Sequence, residues 1–291
     1  MSREEHQGFF IEREKGATIM VPRTHWSANL ASEARRLAID GIRLSFSAGW
    51  RDPNVDFIAA FPGLRSVEIY SETVSDLRPL DSLHGLVHLG LQCAYKTFPS
   101  RVTLAGLKSC ALNWRPSAKG LLQSSGLESL DISGYPFEDL SPLDALTGLM
   151  VLKLTSSRLA DLGGAPSLSA LSVLDLYRCT KLHTLAGIET HGSLSYLALD
   201  RCKKLASLDE LRVLHKLSEL IIAECGDIES LEPVRQLTTL TRVLFIESTN
   251  IIDGKVDLDR SLPKLKEIGF MNRRSYNDKR EHIAERIASR S

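Results

Sequence analysis

The residues through which this 291-residue chain could do chemistry are eight histidines, five cysteines and a dispersed set of acids and hydroxyls. His84 and His88 stand four apart, the separation that places two imidazoles on one helical face for a zinc ion. They straddle a boundary between two apolar segments, so they share no such face, and the remaining histidines are scattered as surface or turn residues. "SSGLES" (124–129) and "LGGAPS" (162–167) bring Gly and Ser together without the strand-to-helix context of a phosphate-binding loop. No nucleophile stands beside a base, and no pair of acids marks a pocket. The expectation is a chain with no catalytic residue, no metal and no cofactor, hence not an enzyme.

The elements that must carry these residues repeat. The pattern L-x-x-L-x-L, with other apolar residues or cysteine allowed, begins at Ile39, Leu64, Leu86, Leu107, Leu127, Leu149, Leu171, Leu194, Leu217, Leu240 and Leu265, at intervals of 20 to 25 residues. Every first, fourth and sixth position holds such a residue. With 43% of the chain apolar, the chance of this is on the order of one in a million million, so the periodicity is real. Positions four and six alternate onto one face of a short strand, and positions three, five and seven onto the other. One unit cannot bury its own apolar face. Parallel stacking at about 4.8 Å merges the strips into a continuous core.

The return segments carry their own spacing. In "SDLRPLDSLHGL" and "EDLSPLDALTGL", Leu77, Leu80, Leu83 and Leu140, Leu143, Leu146 recur every third residue, with Pro79 and Pro142 before the middle leucine. That spacing suits a turn of 3₁₀ helix, whose first turn tolerates proline. The period and strand pattern resemble the leucine-rich repeat family over roughly nine-tenths of the chain. The proline-bearing phrase resembles bacterial internalin-type repeats. The segments "CTKLHTL", "CKKLASL" and "CGDIESL" resemble cysteine-containing leucine-rich repeats; the registers at Leu86 and Leu107 depart from both types. The resemblance implies an α/β fold, a right-handed solenoid or horseshoe with a concave parallel sheet of about eleven strands and short 3₁₀ or helical convex segments. It also places Cys179, Cys202 and Cys225 at repeat position nine, where the family uses Asn or Cys to satisfy backbone groups inside the turn. Cys110 takes a core leucine position and Cys93 a strand end. Neighbouring position-nine cysteines run parallel rather than toward one another, and an odd cysteine count favours reduced thiols.

Lys plus Arg equals Asp plus Glu at 36 each, so no net field draws the chain to nucleic acid or to an anionic membrane. "MSREEHQGFF" has two acids and no long apolar run, which leads to the expectation of a cytoplasmic protein without secretory signal or membrane span. Three regions are expected: an N-terminal cap over 1–38, the repeat array over 39–274 and a C-terminal capping helix over 275–291. The first contains a hairpin over 9–22 turning at Lys15-Gly16, then a helix over 27–38 with Ser27 as N-cap and Leu30, Ala34, Leu37 and Ala38 on one face. From Leu265 onward there are 27 residues. That length is too short for a catalytic domain, so similarity to leucine-rich ligase effectors is confined to the repeats. Asp278–Arg290 reads as a helix with Ile283 and Ile287 on one side.

A preformed repeat surface suits recognition of another protein. The candidate concave binding face gathers Tyr177, Arg178, Tyr196, Asp200 and Arg201, residue types that anchor interfaces, with Ile221, Leu244, Ile246 and Met271 outward beside them. Two ordinary arrangements compete with this: Arg178 and Arg201 pairing with Asp175, Asp200 or Glu224, and the C-terminal helix folding back over the apolar strip. Trp114 and Arg115 form a second candidate. The reading is a non-enzymatic, bacterial, monomeric module for protein–protein interaction, with an unidentified protein partner and neither nucleic acid nor membrane. A toxin-neutralising or regulatory partner, or a host-directed effector, falls within that class. A hidden hydrolase and a nucleic-acid binder are the alternatives from other classes.

Overall fold

The structure, a computed structural model, describes residues 2–14 and 16–290. It divides into two compact units, Met1–Leu130 and Asp131–Ser291. The first opens with β1 (Ser2–His6), β2 (Phe9–Glu14) and β3 (Ala17–Pro22), an antiparallel trio in which β2 is central. The pattern-based hairpin over 9–22 lacks β1, because "SREEH" is polar and has no alternation. It becomes a strand by main-chain pairing to β2. Of the expected hairpin turn, Lys15 lies outside the described residues. Helix α1 (Ala28–Arg36) starts at Ser27, whose hydroxyl accepts a hydrogen bond from the Leu30 amide. Leu30 and Ala34 bury against Phe9, Ile11 and Met20. Ala38, expected on the same face, is exposed, because the helix stops before it and its φ is 46°.

β3 runs parallel onto β4 (Gly41–Ser45), which pairs with β5 (Ser66–Ser71), and that with β6 (His88–Cys93). A short helix α2 (Arg101–Leu104) leads to β7 (Ser109–Asn113), parallel to β6. The register is the repeat register: Ile42, Val67, Leu89 and Cys110 lie side by side, as do Leu44, Ile69, Leu91 and Leu112.

β8 (Ser129–Ser133) spans the sequence junction between the units. In the second unit β9 (Val151–Thr155), β10 (Val173–Tyr177), β11 (Tyr196–Asp200) and β12 (Glu219–Ala223) pair in parallel order. The return segment after β12 holds β13 (Asp227–Ile228). The sheet continues through β14 (Arg242–Ile246), passes β15 (Asn250–Ile251), which pairs with β13, and ends at β16 (Glu267–Phe270). Here Leu174, Leu197 and Leu220 form one inward column and Leu176, Leu199 and Ile222 the next. Across the eleven repeat strands no residue at position four or six is more than 7% exposed. Burying each such side chain contributes about 1.5–3 kcal/mol, so the columns dominate the stability of either unit.

Most return segments carry a 3₁₀ turn, as the leucine spacing predicts; the return before β7 carries α2 instead, and the return between β9 and β10 has neither. Arg78–Ser82 and Ser141–Leu143 carry Pro79 and Pro142 in their first turn, and all six spaced leucines are fully buried. "LGGAPS" belongs to this packing. At Gly164, with φ at 85°, an added Cβ would lie 2.6 Å from the Ser141 Cβ, so the glycine serves close contact between turns rather than phosphate. The C-terminal helix α3 (Arg280–Ala288) packs on β16 and on the 3₁₀ turn Leu258–Arg260, burying Ile283 and Ile287. Arg286 clamps the buried Asp259 through both carboxylate oxygens, at 2.7 and 3.0 Å.

One core column contains a histidine. His191 stands three residues before its repeat start, where Leu146, Leu168, Leu214 and Leu237 stand in neighbouring repeats, and like them it is buried. Neither ring nitrogen makes a hydrogen bond of normal geometry. Burial depresses its pKa below the usual imidazole value. The unfolded chain therefore takes up a proton near pH 6.5 that the folded unit resists, and stability conferred above that pH is lost as pH falls through it. Urea unfolding from pH 7.5 to 5.5 should show this loss, and His191→Leu should remove most of it. An unchanged pH slope in the variant would contradict the assignment.

Candidate partner-binding face

In the second unit the outward positions form columns set by strand register. Position seven runs Tyr177, Asp200, Ala223, Ile246, and position five runs Asp175, Ala198, Ile221, Leu244 and Gly269. Position three runs Val173, Tyr196, Glu219, Arg242, Glu267. Tyr196 is thus opposite Val173 and stands about 13 Å along the strand from Asp200, at some 3.3 Å per residue. The structure brings Tyr177, Arg178, Asp200 and Arg201 together and leaves Tyr196 at the other end of the strand.

Arg178 and Arg201, read from the sequence as continuing the strand columns, lie just past the strand ends. Each has a left-handed backbone, at φ 52° and 56°, as do Glu224 and Glu247 at the same repeat position. This turn lets the Arg178 amide donate to the Asp200 carbonyl at 2.7 Å and the Arg201 amide to the Ala223 carbonyl at 2.9 Å, after which the chain dives to its position-nine cysteine. Arg201 is extensively bonded: Nε and Nη2 donate to both oxygens of Glu224 at 2.9 and 2.7 Å, and Nη1 donates to the Tyr177 hydroxyl at 2.7 Å. The pairing with Glu224 that competed with partner contact is therefore formed, and it fixes the Tyr177 ring at the edge of the face. Asp200 is less well served. Its Oδ1 is enclosed and accepts no hydrogen bond, the Arg201 Nε being 3.9 Å away. Burial foremost, with Glu224 and Asp175 nearby, raises its pKa.

Beside this group lies the apolar strip. Ile221, Leu244 and Ile246 are half-buried and Met271 is 60% exposed. Leu244 leans over Gly269, where an added Cβ would meet its Cδ2 at 2.6 Å. The expected alternative cover, helix α3, spends Ile283 and Ile287 on the terminal strand and its preceding turn. Arg242 borders the strip, held by Glu267 at 2.8 Å and Glu219 at 3.4 Å.

In the first unit, Trp114 is half-buried at the position equivalent to Arg178. Arg115 is exposed, donates to the Cys93 carbonyl at 3.4 Å and lies 5.8 Å from the centre of the Tyr95 ring. Sequence reasoning missed a stronger feature of this unit. Arg43 donates to Glu68 at 2.7 and 3.0 Å and also bonds Glu12, while Glu14 stands 3.7 Å away. The Tyr70 hydroxyl donates to Glu68 at 2.7 Å, and the His88 Nε2 is 3.6 Å from it. Burial would raise the Glu68 pKa, but these partners outweigh it and hold the carboxyl well below the usual range. Burial and Glu68 push Tyr70 up to about 12. The signal was in the columns: Arg43 and Glu68 share position five of adjacent repeats, where opposite charges face one another. Among the described residues, no group of three His, Cys, Asp or Glu is placed to hold a metal ion.

The stacked repeat strands, inward columns and 3₁₀ returns define the leucine-rich-repeat fold. No family model matches the chain, and no curated protein matches it. Among solved structures it is similar to an internalin (inlF) from Listeria monocytogenes, at 19% identity and a TM-score of 0.49, over 80% of this chain and 72% of that one. It is also similar to internalin C2 from Listeria monocytogenes, at 21% identity and a TM-score of 0.47, over 73% and 84% of the two chains. No helix among the described residues is long and apolar enough to cross a membrane.

The position-nine cysteines are buried thiols. Each donates to a carbonyl of the preceding repeat: Cys179 to Leu154 at 3.8 Å, Cys202 to Leu176 at 3.7 Å and Cys225 to Leu199 at 3.3 Å. Cys179 and burial push Cys202 up to about 12, and Cys202 and burial raise Cys225 further. All three sulfurs are fully buried, out of reach of a reagent, and so inert while the unit is folded. Mass spectrometry after alkylation at pH 8 should find all three unmodified in the native protein and labelled in urea. Rapid native labelling of the three would contradict the assignment.

Proposed function

We propose that the protein is a non-enzymatic interaction module that binds another protein on the outward strand face of its second unit. The observation that carries this reading is the uncovered apolar strip. Ile221, Leu244, Ile246 and Met271 stand where a solvated strand face is ordinarily polar, and the nearest helix of the chain is docked elsewhere. The Tyr177–Arg201–Glu224 ladder beside it presents an aromatic ring already fixed in place, which lowers the ordering cost of contact. A cytoplasmic, monomeric bacterial protein acting on a cognate partner, regulatory or toxin-neutralising, is the setting we assign to it, with a host-directed effector as the variant within the same class. Buried thiols in successive repeats suit a reducing compartment.

Affinity capture from the native host, followed by titration of the captured partner, tests the site. Tyr177→Ala and Leu244→Asp should each weaken binding about thirtyfold or more while the far-ultraviolet spectrum stays native. Arg201→Ala should weaken it as well, by releasing Tyr177. Ser133→Ala and Thr155→Ala should have little effect. A partner that binds the Tyr177 and Leu244 variants as well as the parent would refute this face and turn attention to Trp114 and Arg115.

A further inference from the structure

The same face specifies what its occupant looks like. Its apolar strip runs from Ile221 on β12 through Leu244 and Ile246 on β14 to Met271 just past β16, two strand-to-strand steps, or about 10 Å at 4.8 Å per step. An α-helix laid across the strands has a pitch of about 5.4 Å, close to that step, so one side chain per helical turn meets one strand after another. An extended segment repeats its same-face side chains at about 6.8 Å and falls out of step at once.

Charge decides the rest. From β10 to β16, the outward and strand-end positions hold six carboxylates, with Asp175, Glu219 and Glu267 at outward strand positions, against the three guanidiniums of Arg178, Arg201 and Arg242. Two of those three are already committed, Arg201 to Glu224 and Arg242 between Glu219 and Glu267. Asp200 and Glu247 are left on the strand-end border of the strip. Asp200 has an enclosed oxygen with no donor, and Glu247 is exposed on a left-handed residue. An apolar floor with acidic borders is complementary to a partner whose apolar ridge is flanked by cations.

Resting on the binding reading above, we propose that the occupant is an amphipathic helix of a partner protein. Its apolar ridge lies on Ile221, Leu244 and Ile246, and its flanking Lys or Arg side chains meet Asp200 and Glu247. The helix enters already apolar on one face, so the strip is covered without displacing α3.

The test uses the full chain and two fluorescent synthetic peptides with the same helical leucine ridge, one flanked by lysines and one by glutamates. Anisotropy titration should show the lysine peptide binding at least about tenfold more tightly than the glutamate peptide. Its affinity should fall as salt rises. Leu244→Asp should abolish binding, and Asp200→Asn combined with Glu247→Gln should weaken the lysine peptide and flatten its salt dependence while circular dichroism stays native. Equal binding of both peptides, no binding of the lysine peptide, or binding indifferent to Leu244→Asp would overturn the proposal. So would a concentration-dependent dimer in sedimentation that Leu244→Asp dissolves, which would make the occupant a second copy of this chain. A captured protein partner that is lost in Leu244→Asp but does not compete with the lysine peptide would leave the binding face standing and refute only the basic helix.

Discussion

Everything in the two units depends on one constraint: a side chain at position four or six of a strand can leave water only when the next repeat lies in register beside it. A single repeat has no interior. Ile42 is buried because Val67 and then Leu89 stack alongside, and Leu174 because Leu152 and Leu197 do. The interior is thus a set of columns rather than a droplet, and each repeat's stability is largely a property of its neighbours. The strand-end residues show how strongly this holds. Arg178, Arg201 and Glu224 accept left-handed backbones, each at a cost of about 1–2 kcal/mol, so that their amides keep bonding across the stack and the cysteine that follows each stays buried.

That constraint also decides which positions are free to vary. Inward positions are spent on the columns, and most returns on the 3₁₀ turns that close the repeats. Only positions three, five and seven and the strand-end residue are free to vary without breaking the stack. In the first unit these positions satisfy one another: Glu68 is held by Arg43 and Tyr70, with His88 beside it. In the second they end in aliphatic side chains and an under-served carboxylate, the surface on which we propose that a partner binds.

The columns were legible in the sequence because stacking imposes period and alternation together, and both can be counted. The 3₁₀ returns were legible from leucines three apart with a proline between them. The outer strand β1 was not, since it is held by backbone pairing and "SREEH" has no apolar pattern. The position of Arg178 and Arg201 past the strand ends was also hidden, because alternation says nothing about a left-handed turn made by an ordinary residue. Tyr196 joined the candidate group by nearness in sequence, whereas register places it beside Val173, a strand length from Tyr177. The Arg43–Glu68 network escaped because reading along the chain does not compare position five across repeats. The apolar strip itself was visible, but that α3 leaves it uncovered depends on where the helix docks, which its own pattern of Ile283 and Ile287 does not specify.

The most direct test of the columnar account is to shift one strand by one residue. Inserting a single alanine between Asp175 and Leu176 moves the end of β10 to the opposite face, whereas the same insertion after the exposed Gly192 lengthens only a return segment. Urea unfolding followed by circular dichroism should show cooperative folding of the second unit lost in the strand insertion and kept, within about 1 kcal/mol, in the return insertion. Equal tolerance of the two insertions would contradict the claim that register-locked columns hold the fold.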